Sequence, residues 1–208
     1  MPSRNILKVD VAASFYHVYA IGAGKRPVFI EHADFEFFLD LCKRYLSHET
    51  YVNSVGTPYP KLYGSVELLA YCLMDNRLHL LLHQHKAGGM QRLMRGIMTS
   101  YSRYFNDKYD RSGPLFATRY KASRISEDDT VPGVSRYIHL IAKDWRTYPY
   151  SSIGCYLEPF AADWVQTTPV LAAFAARDEY TTFMADYPSA ERQIETLRQE
   201  LADSGQKL

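Results

Sequence analysis

The stretch YCLMDNRLHLLLHQH at residues 71–85 constrains this chain more than any other. Read as a strand, it puts Asp75, Arg77, His79, His83 and His85 on one side and Leu78, Leu80 and Leu82 on the other. The leucine side can pack on a helix. The polar side, held on an apolar anchor, is a place for a metal ion or a phosphate. A solvated sheet face is the plainer reading, and alternation alone favours it. Asp75–Asn76 has turn chemistry, so 66–85 also reads as a hairpin whose first arm is Val66–Met74.

The rest of the chain fits a folded domain. Its 208 residues are enough for one core with a tail. With 47% hydrophobic and 23% charged residues it is not of the intrinsically disordered class. No run approaches the roughly 18 apolar residues of a membrane helix, so no membrane partner is expected. The opening MPSRNILKVDVAASFY lacks the apolar segment of a signal peptide. Cys42, Cys72 and Cys155 are widely separated, with no zinc-type spacing, and a cytoplasmic location is expected. A formal net charge of +1 does not announce a nucleic-acid binder, so such a surface would need locally concentrated charge. Seventeen tyrosines against ten phenylalanines suit stacked bases, and equally a half-buried sheet face.

Taken in order, residues 1–12 read as a flexible arm. Ser14–Ile21 alternates as a first strand, with Phe15, His17 and Tyr19 on one face and Tyr16, Val18 and Ala20 on the other. Residues 32–48 and 90–109 read as amphipathic helices, striped by Phe35, Phe38, Leu41 and Cys42, and by Leu93, Met94, Ile97, Tyr101 and Phe105. Arg92, Arg95, Arg103 and Lys108 lie off the second stripe, on a solvated or phosphate-facing edge. Residues 115–125 read as a further strand region. Ser126, followed by Glu127, Asp128 and Asp129, starts a helix expected to reach Lys143. Strand, helix, strand, strand, helix, strand, helix is an α+β order. Its most economical layout is a ferredoxin-like antiparallel sheet with helices on one face. The pattern changes after Trp145. The expected organisation is a core domain over 1–148 and a helical C-terminal extension over 149–208 packed on it, with an acidic-basic helix to Leu201.

Several of these segments resemble one family. Residues 71–83 resemble the YCLMxNHxHLLL segment of the single-tyrosine HUH transposases, in particular the REP-associated tyrosine transposase group. FYHVYAIGAGKRPVF resembles that family's first strand and loop, and MTSYSRYFNDKYDRSGPLFATRYKASRI its helix, turn and strand. SRYIHL at 135–140 is similar to the helix bearing the nucleophilic tyrosine, and YPYSSIGCYL and TTPVLAAF to the C-terminal region. The resemblance implies a single-stranded DNA endonuclease and strand transferase acting at hairpin DNA. In that chemistry a tyrosine attacks the scissile phosphate and leaves a 5′-phosphotyrosine and a free 3′-hydroxyl. A divalent metal, Mg or Mn, on the histidine pair assists. By motif position Tyr137 is the nucleophile and His79 a metal ligand; a helix tyrosine packed in the core is the plainer role for Tyr137. The DNA-contacting set is Arg119, Tyr120, Lys121 and Arg124, with Arg95. Single-stranded or hairpin DNA is the implied partner, and a homodimer is admitted, since relatives often act as dimers.

Four positions depart from the family pattern. Arg77 stands where the first histidine of the pair belongs, and a guanidinium ligates no metal. Ile141 stands where an asparagine is common, and Ala20–Ile21 where the first strand carries Asn–Arg. Two readings follow. One is a working nuclease in which Arg77 acts on the phosphate by direct charge. The other is a cleavage-impaired relative that still binds hairpin DNA. His83 lies about 13 Å from His79 along a strand, too far to share an ion with it. A separate His83–His85 pair is the weaker option. His17 is expected as a neighbour of His79 or a satisfied core histidine. His139, two residues from Tyr137 on a helix, is expected as a surface or tail contact.

Overall fold

The computed structural model describes residues 10–125, 131–158 and 162–186. Strands Ser14–Ile21 (β1), Val66–Met74 (β2), Arg77–Gln84 (β3) and Lys121–Ile125 (β4) form one sheet in the order β2-β3-β1-β4, with every pair antiparallel. Helices His32–Leu46 (α1) and Gly89–Lys108 (α2) make the two crossovers, which completes the ferredoxin-like layout. β2 and β3 are joined across Asp75 and Asn76, so the focal stretch is a hairpin.

Alternation sorts the sheet into two faces. Tyr16, Val18 and Ala20 of β1 and Leu78, Leu80 and Leu82 of β3 form one core with Phe35, Phe38 and Leu41 of α1 and Leu93, Ile97 and Tyr101 of α2. Each such side chain contributes on the order of 1.5–3 kcal/mol by leaving water. Asp34 ties the two helices together. Fully buried at the start of α1, it accepts hydrogen bonds from the Ile30 and Glu31 amides, the Tyr104 and Tyr109 hydroxyls and Lys108 Nζ. Burial raises its pKa, but these donors, Lys108 first, outweigh burial and hold the carboxyl below its ordinary range.

The opposite face is covered as well. Leu69, Ala70, Cys72 and Leu81 pack there against helices Val131–His139 (α3), Ile153–Leu157 (α4), Thr168–Leu171 (α5) and Arg177–Ala185 (α6), through Val134, Tyr137, Ile138, Tyr156, Val170 and Tyr180. Helices thus lie on both faces: α1 and α2 on one, α3 and the C-terminal helices on the other. The segment after α3 also satisfies the β2 edge. Leu73 N donates to Tyr150 O (2.9 Å), Ser152 N to Tyr71 O (3.0 Å) and Gln166 N to Leu68 O (2.9 Å).

Some boundaries differ from those expected. Residues 10–12 are held in place: Asp10 Oδ1 accepts from Gln84 Nε2 (2.6 Å) and Gly88 N (2.9 Å). In 115–125 only Lys121–Ile125 pairs as a strand, because Leu115 and Phe116 instead fill the α1–α2 core, Phe116 with one bridge to Gly22. α3 ends at His139, short of Lys143, because Ile141 N folds back to Ile138 O (3.4 Å) and tightens the chain into turns. The expected arm over 1–9, the cap at Ser126 and the helix expected to reach Leu201 lie outside the described residues. Among the described residues no helix is long and apolar enough to cross a membrane.

Candidate active site

The face of β1 and β3 that turns toward α3 carries the site. Tyr19 lies opposite His79 across the two central strands, and Lys121 of β4 lies opposite Tyr19. Strand alternation then places His17, Tyr19, Arg77, His79 and Lys121 on one side of the sheet. His17 Nε2 and His79 Nδ1 are 3.1 Å apart, and their rings stack at 5.2 Å. Tyr19 stacks beside both, at 5.7 and 5.8 Å. From α3, Tyr137 meets His17 and His79 edge-on, with ring centroids at 5.8 and 5.9 Å. The helix tyrosine and the strand histidine expected to meet are therefore brought together.

The electrostatics follow from burial. His17 is held down to about 3 by desolvation. His79 lies well below the ordinary imidazole value, through burial first and then the nearby positive charge of His17 and Arg77. Both rings are neutral at pH 7, so one nitrogen of the 3.1 Å pair donates and the other accepts. The pair uses Nδ1 of His79 and leaves Nε2 for a ligand or a proton. His17 Nδ1 is buried and makes no hydrogen bond among the described residues. Arg77 stands opposite Ile21 at the head of β3, and Lys121 Nζ lies 5.8 Å from the Tyr19 ring centre. Two cations thus flank the His79–Tyr137 pair.

This arrangement does not fit a divalent ion at Tyr137. His79 offers one imidazole, the guanidinium of Arg77 stands at the other ligand position, and Ile141, beyond the end of α3, has no donor side chain. A different group could hold one. Glu67, His83 and His85 have donor atoms within 4.8 Å of one another, at the other end of β3.

The remaining expected site residues are distributed elsewhere. Arg119 is exposed in the bend before β4. Tyr120 packs against the α1–α2 core, where burial pushes its hydroxyl up to about 12. Arg124 pairs with Tyr16, a residue of that same core, so alternation puts it on the far face from His79. Arg95 is exposed on α2, across the sheet from Tyr137. Asp75 sits in the turn, where its carbonyl accepts from Val28 N (2.7 Å) and Phe29 N (2.9 Å). His139 is fully buried against the C-terminal helices, with Nδ1 2.9 Å from Tyr180 Oη and Nε2 2.8 Å from Ser152 Oγ. It is a tail contact, and not a surface one. Glu67 was not singled out from sequence, and His17 only as a neighbour of His79 or a core histidine. The pairing of His17 with His79 was signalled only by alternation in β1, and Glu67 by nothing short of the β2–β3 register.

Comparison with known proteins bears on the fold. Residues 61–140, which span β2 to the end of α3, match the family model described as "Transposase IS200 like". No curated protein matches the chain significantly. The fold is similar to a solved structure described as "Structure of the REP associates tyrosine transposase bound to a REP hairpin", with a TM-score of 0.52 and 11% identity over 77% of this chain and 92% of that one. Residues 61–140 are thus similar to IS200-like transposases, and the chain shares the fold of that solved structure.

Proposed function

We propose that this is a transposase-like protein that binds single-stranded or hairpin DNA on the face between Arg77 and Lys121, with Tyr137 as nucleophile. The observation that carries the reading is the convergence of Tyr137 on His79 and His17, at 5.9 and 5.8 Å between ring centres. The solved structure with a similar fold is bound to a REP hairpin. In the proposed step the phenol oxygen of Tyr137 attacks the scissile phosphorus and the bond to the 3′ oxygen breaks. The proton lost by the phenol ends on that 3′ oxygen. The products are a 5′-phosphotyrosine and a free 3′-hydroxyl. A phenol of pKa about 10 is a weak nucleophile at neutral pH. Neutral His79 can accept its hydrogen bond, His17 orients His79, and Arg77 and Lys121 offset charge on the phosphate. Mg or Mn belongs to the family chemistry, and no step here is assigned to it. We place the protein in the cytoplasm, where free Cys42, Cys72 and Cys155 are at home, with a homodimer as the assembly to test. Residues 1–148 are the DNA-processing domain in this reading and 149–208 its extension.

A second reading has its own support. Arg77 and Ile141 remove two metal donors, and Tyr137 is only 8% exposed. These favour a relative that binds hairpin DNA without cutting it. The test is a labelled hairpin-bearing single strand incubated with protein and Mg or Mn. A denaturant-stable adduct that disappears in Tyr137→Phe supports cleavage. Tight binding without adduct supports the second reading, and absence of hairpin binding removes both. In the second case Arg77→His should restore adduct if the guanidinium is the defect.

A further inference from the structure

We propose that Glu67, His83 and His85 form a second site, for a zinc-class divalent cation, that pins the end of the β2–β3 hairpin. Three independent features build it. The first is register. From Met74↔Arg77 to Ala70↔Leu81 the hairpin pairs without interruption, and continued pairing would set Glu67 opposite Gln84. An irregularity between Leu68 and Ala70 shifts the register, so Glu67 lies opposite His83, on the same face. The second is positioning. The His83 ring stacks on Phe15 at 4.3 Å, and the His83 and His85 rings lie 4.1 Å apart. His85 N and Lys86 N both donate to Ser65 O, at 3.0 and 3.1 Å, which fixes His85 just past the strand. Gln84, pointing the other way, is locked by Asp10 Oδ1, Val11 O and Met90 N.

The third feature is how the donors meet. Glu67 Oε2 is 3.0 Å from His85 Nε2 and 3.6 Å from His83 Nδ1. His85 Nε2 is buried from solvent and makes no hydrogen bond among the described residues, although it lies 3.0 Å from the carboxylate. An imidazole nitrogen and a carboxylate oxygen that approach this closely without a hydrogen bond, with a second imidazole beside them, suit a cation between them. Two imidazoles and one carboxylate form a borderline donor set that suits zinc, whereas magnesium prefers carboxylates and water. Three protein ligands leave a fourth position for water or an external donor. His83 is about 13 Å along the strand from His79, so an ion here does not reach a phosphate at Tyr137. Its work is mechanical: it joins β2, β3 and the residue beyond β3, beside the Asp10–Gln84–Gly88 knot that precedes α2.

The test is a Zn²⁺ titration of the full chain by calorimetry, with Co²⁺ absorption as a probe of coordination. Glu67→Gln, His85→Ala and His79→Ala are compared, with circular dichroism confirming that each is folded. One equivalent should bind to the natural protein and to His79→Ala. It should bind more than about a hundredfold more weakly to the other two, beyond the roughly 10–100-fold that removing an outer-shell partner brings. Zn²⁺ should raise the melting temperature of the natural protein and not that of Glu67→Gln or His85→Ala. Long-range ¹H–¹⁵N spectra should show the His83 and His85 ring nitrogens shifting on addition of Zn²⁺. Equal affinity in all variants, loss in His79→Ala alone, or no binding overturns the proposal. The last outcome leaves the trio as an ion pair only.

Discussion

Mild acid should unfold this protein at a pH well above the range where carboxylates titrate. His17, His79 and His139 are 3%, 7% and 0% exposed. Burial holds His17 and His139 down to about 3, and burial with neighbouring positive charge holds His79 well below its ordinary value. In the unfolded chain all three take up protons near pH 6.5. Below that pH the unfolded state binds more protons than the native one. The stabilisation is therefore complete above about pH 6.5 and is lost progressively as the pH falls toward 3. Each proton of difference is worth about 1.4 kcal/mol per pH unit, so three give a limiting slope of about 4 kcal/mol per unit. Going from pH 6.5 to 5 then removes up to about 6 kcal/mol, comparable with the roughly 5–15 kcal/mol that holds a typical domain together. The contacts show how far the rings are enclosed. His139 lies between Tyr180 and Ser152, and His17 shares one hydrogen bond with His79. The assay is urea unfolding at fixed ionic strength between pH 7.5 and 5, followed by the fluorescence of Trp145 and Trp164. His139→Gln should lower the slope by about one proton, near 1.4 kcal/mol per pH unit. A slope below one proton over this interval in the natural protein would mean that these rings stay hydrated, and the packed His17–His79 pair would fall with it.

Other perturbations probe separate parts of the fold. Asp34→Ala leaves Lys108 and the Tyr104 and Tyr109 hydroxyls without their shared acceptor, and should cost about 2–4 kcal/mol in urea unfolding. Because Asp34 is held below its ordinary pKa, its stabilisation is present above the unfolded carboxylate value and is lost as pH falls through the folded one, so Asp34→Ala should flatten the acid limb below about pH 4. Lys121→Ala should reduce the salt slope of single-strand binding by about 0.7, one phosphate's worth, while Arg95→Ala on the far layer should leave it unchanged. Gly96→Val should overpack the α1–α2 contact and cost about 1–3 kcal/mol in thermal or urea melts, since a Cβ there already meets Tyr45 Oη at 2.6 Å.

Local periodicity carried much of this protein's design. The alternation of Tyr16, Val18 and Ala20 against Phe15, His17 and Tyr19, and of the three leucines against His79, is written residue by residue, because a strand has no other way to present side chains. The stripes of α1 and α2 follow for the same reason, and the Asp75–Asn76 turn sets the hairpin. The meeting of Tyr137 with His79 was implied only by the family resemblance, since periodicity placed the helices on one face of the sheet and the structure has them on both. What was not legible depends on contacts between segments far apart in sequence. Tyr120 and Arg124 belong to the other layer because β4 pairs with β1 in one register and not its neighbour, and a shift of one residue exchanges faces. His139 is buried because α4 and α6 close over it. Glu67 joins His83 and His85 because the ladder skips once between Leu68 and Ala70, a choice made by packing on both faces of the sheet. Sequence by itself determined which side chains each element could present. Only the tertiary structure decided which of them meet, because register, bulges and layer assignment minimise the energy of the whole core and not of any one segment.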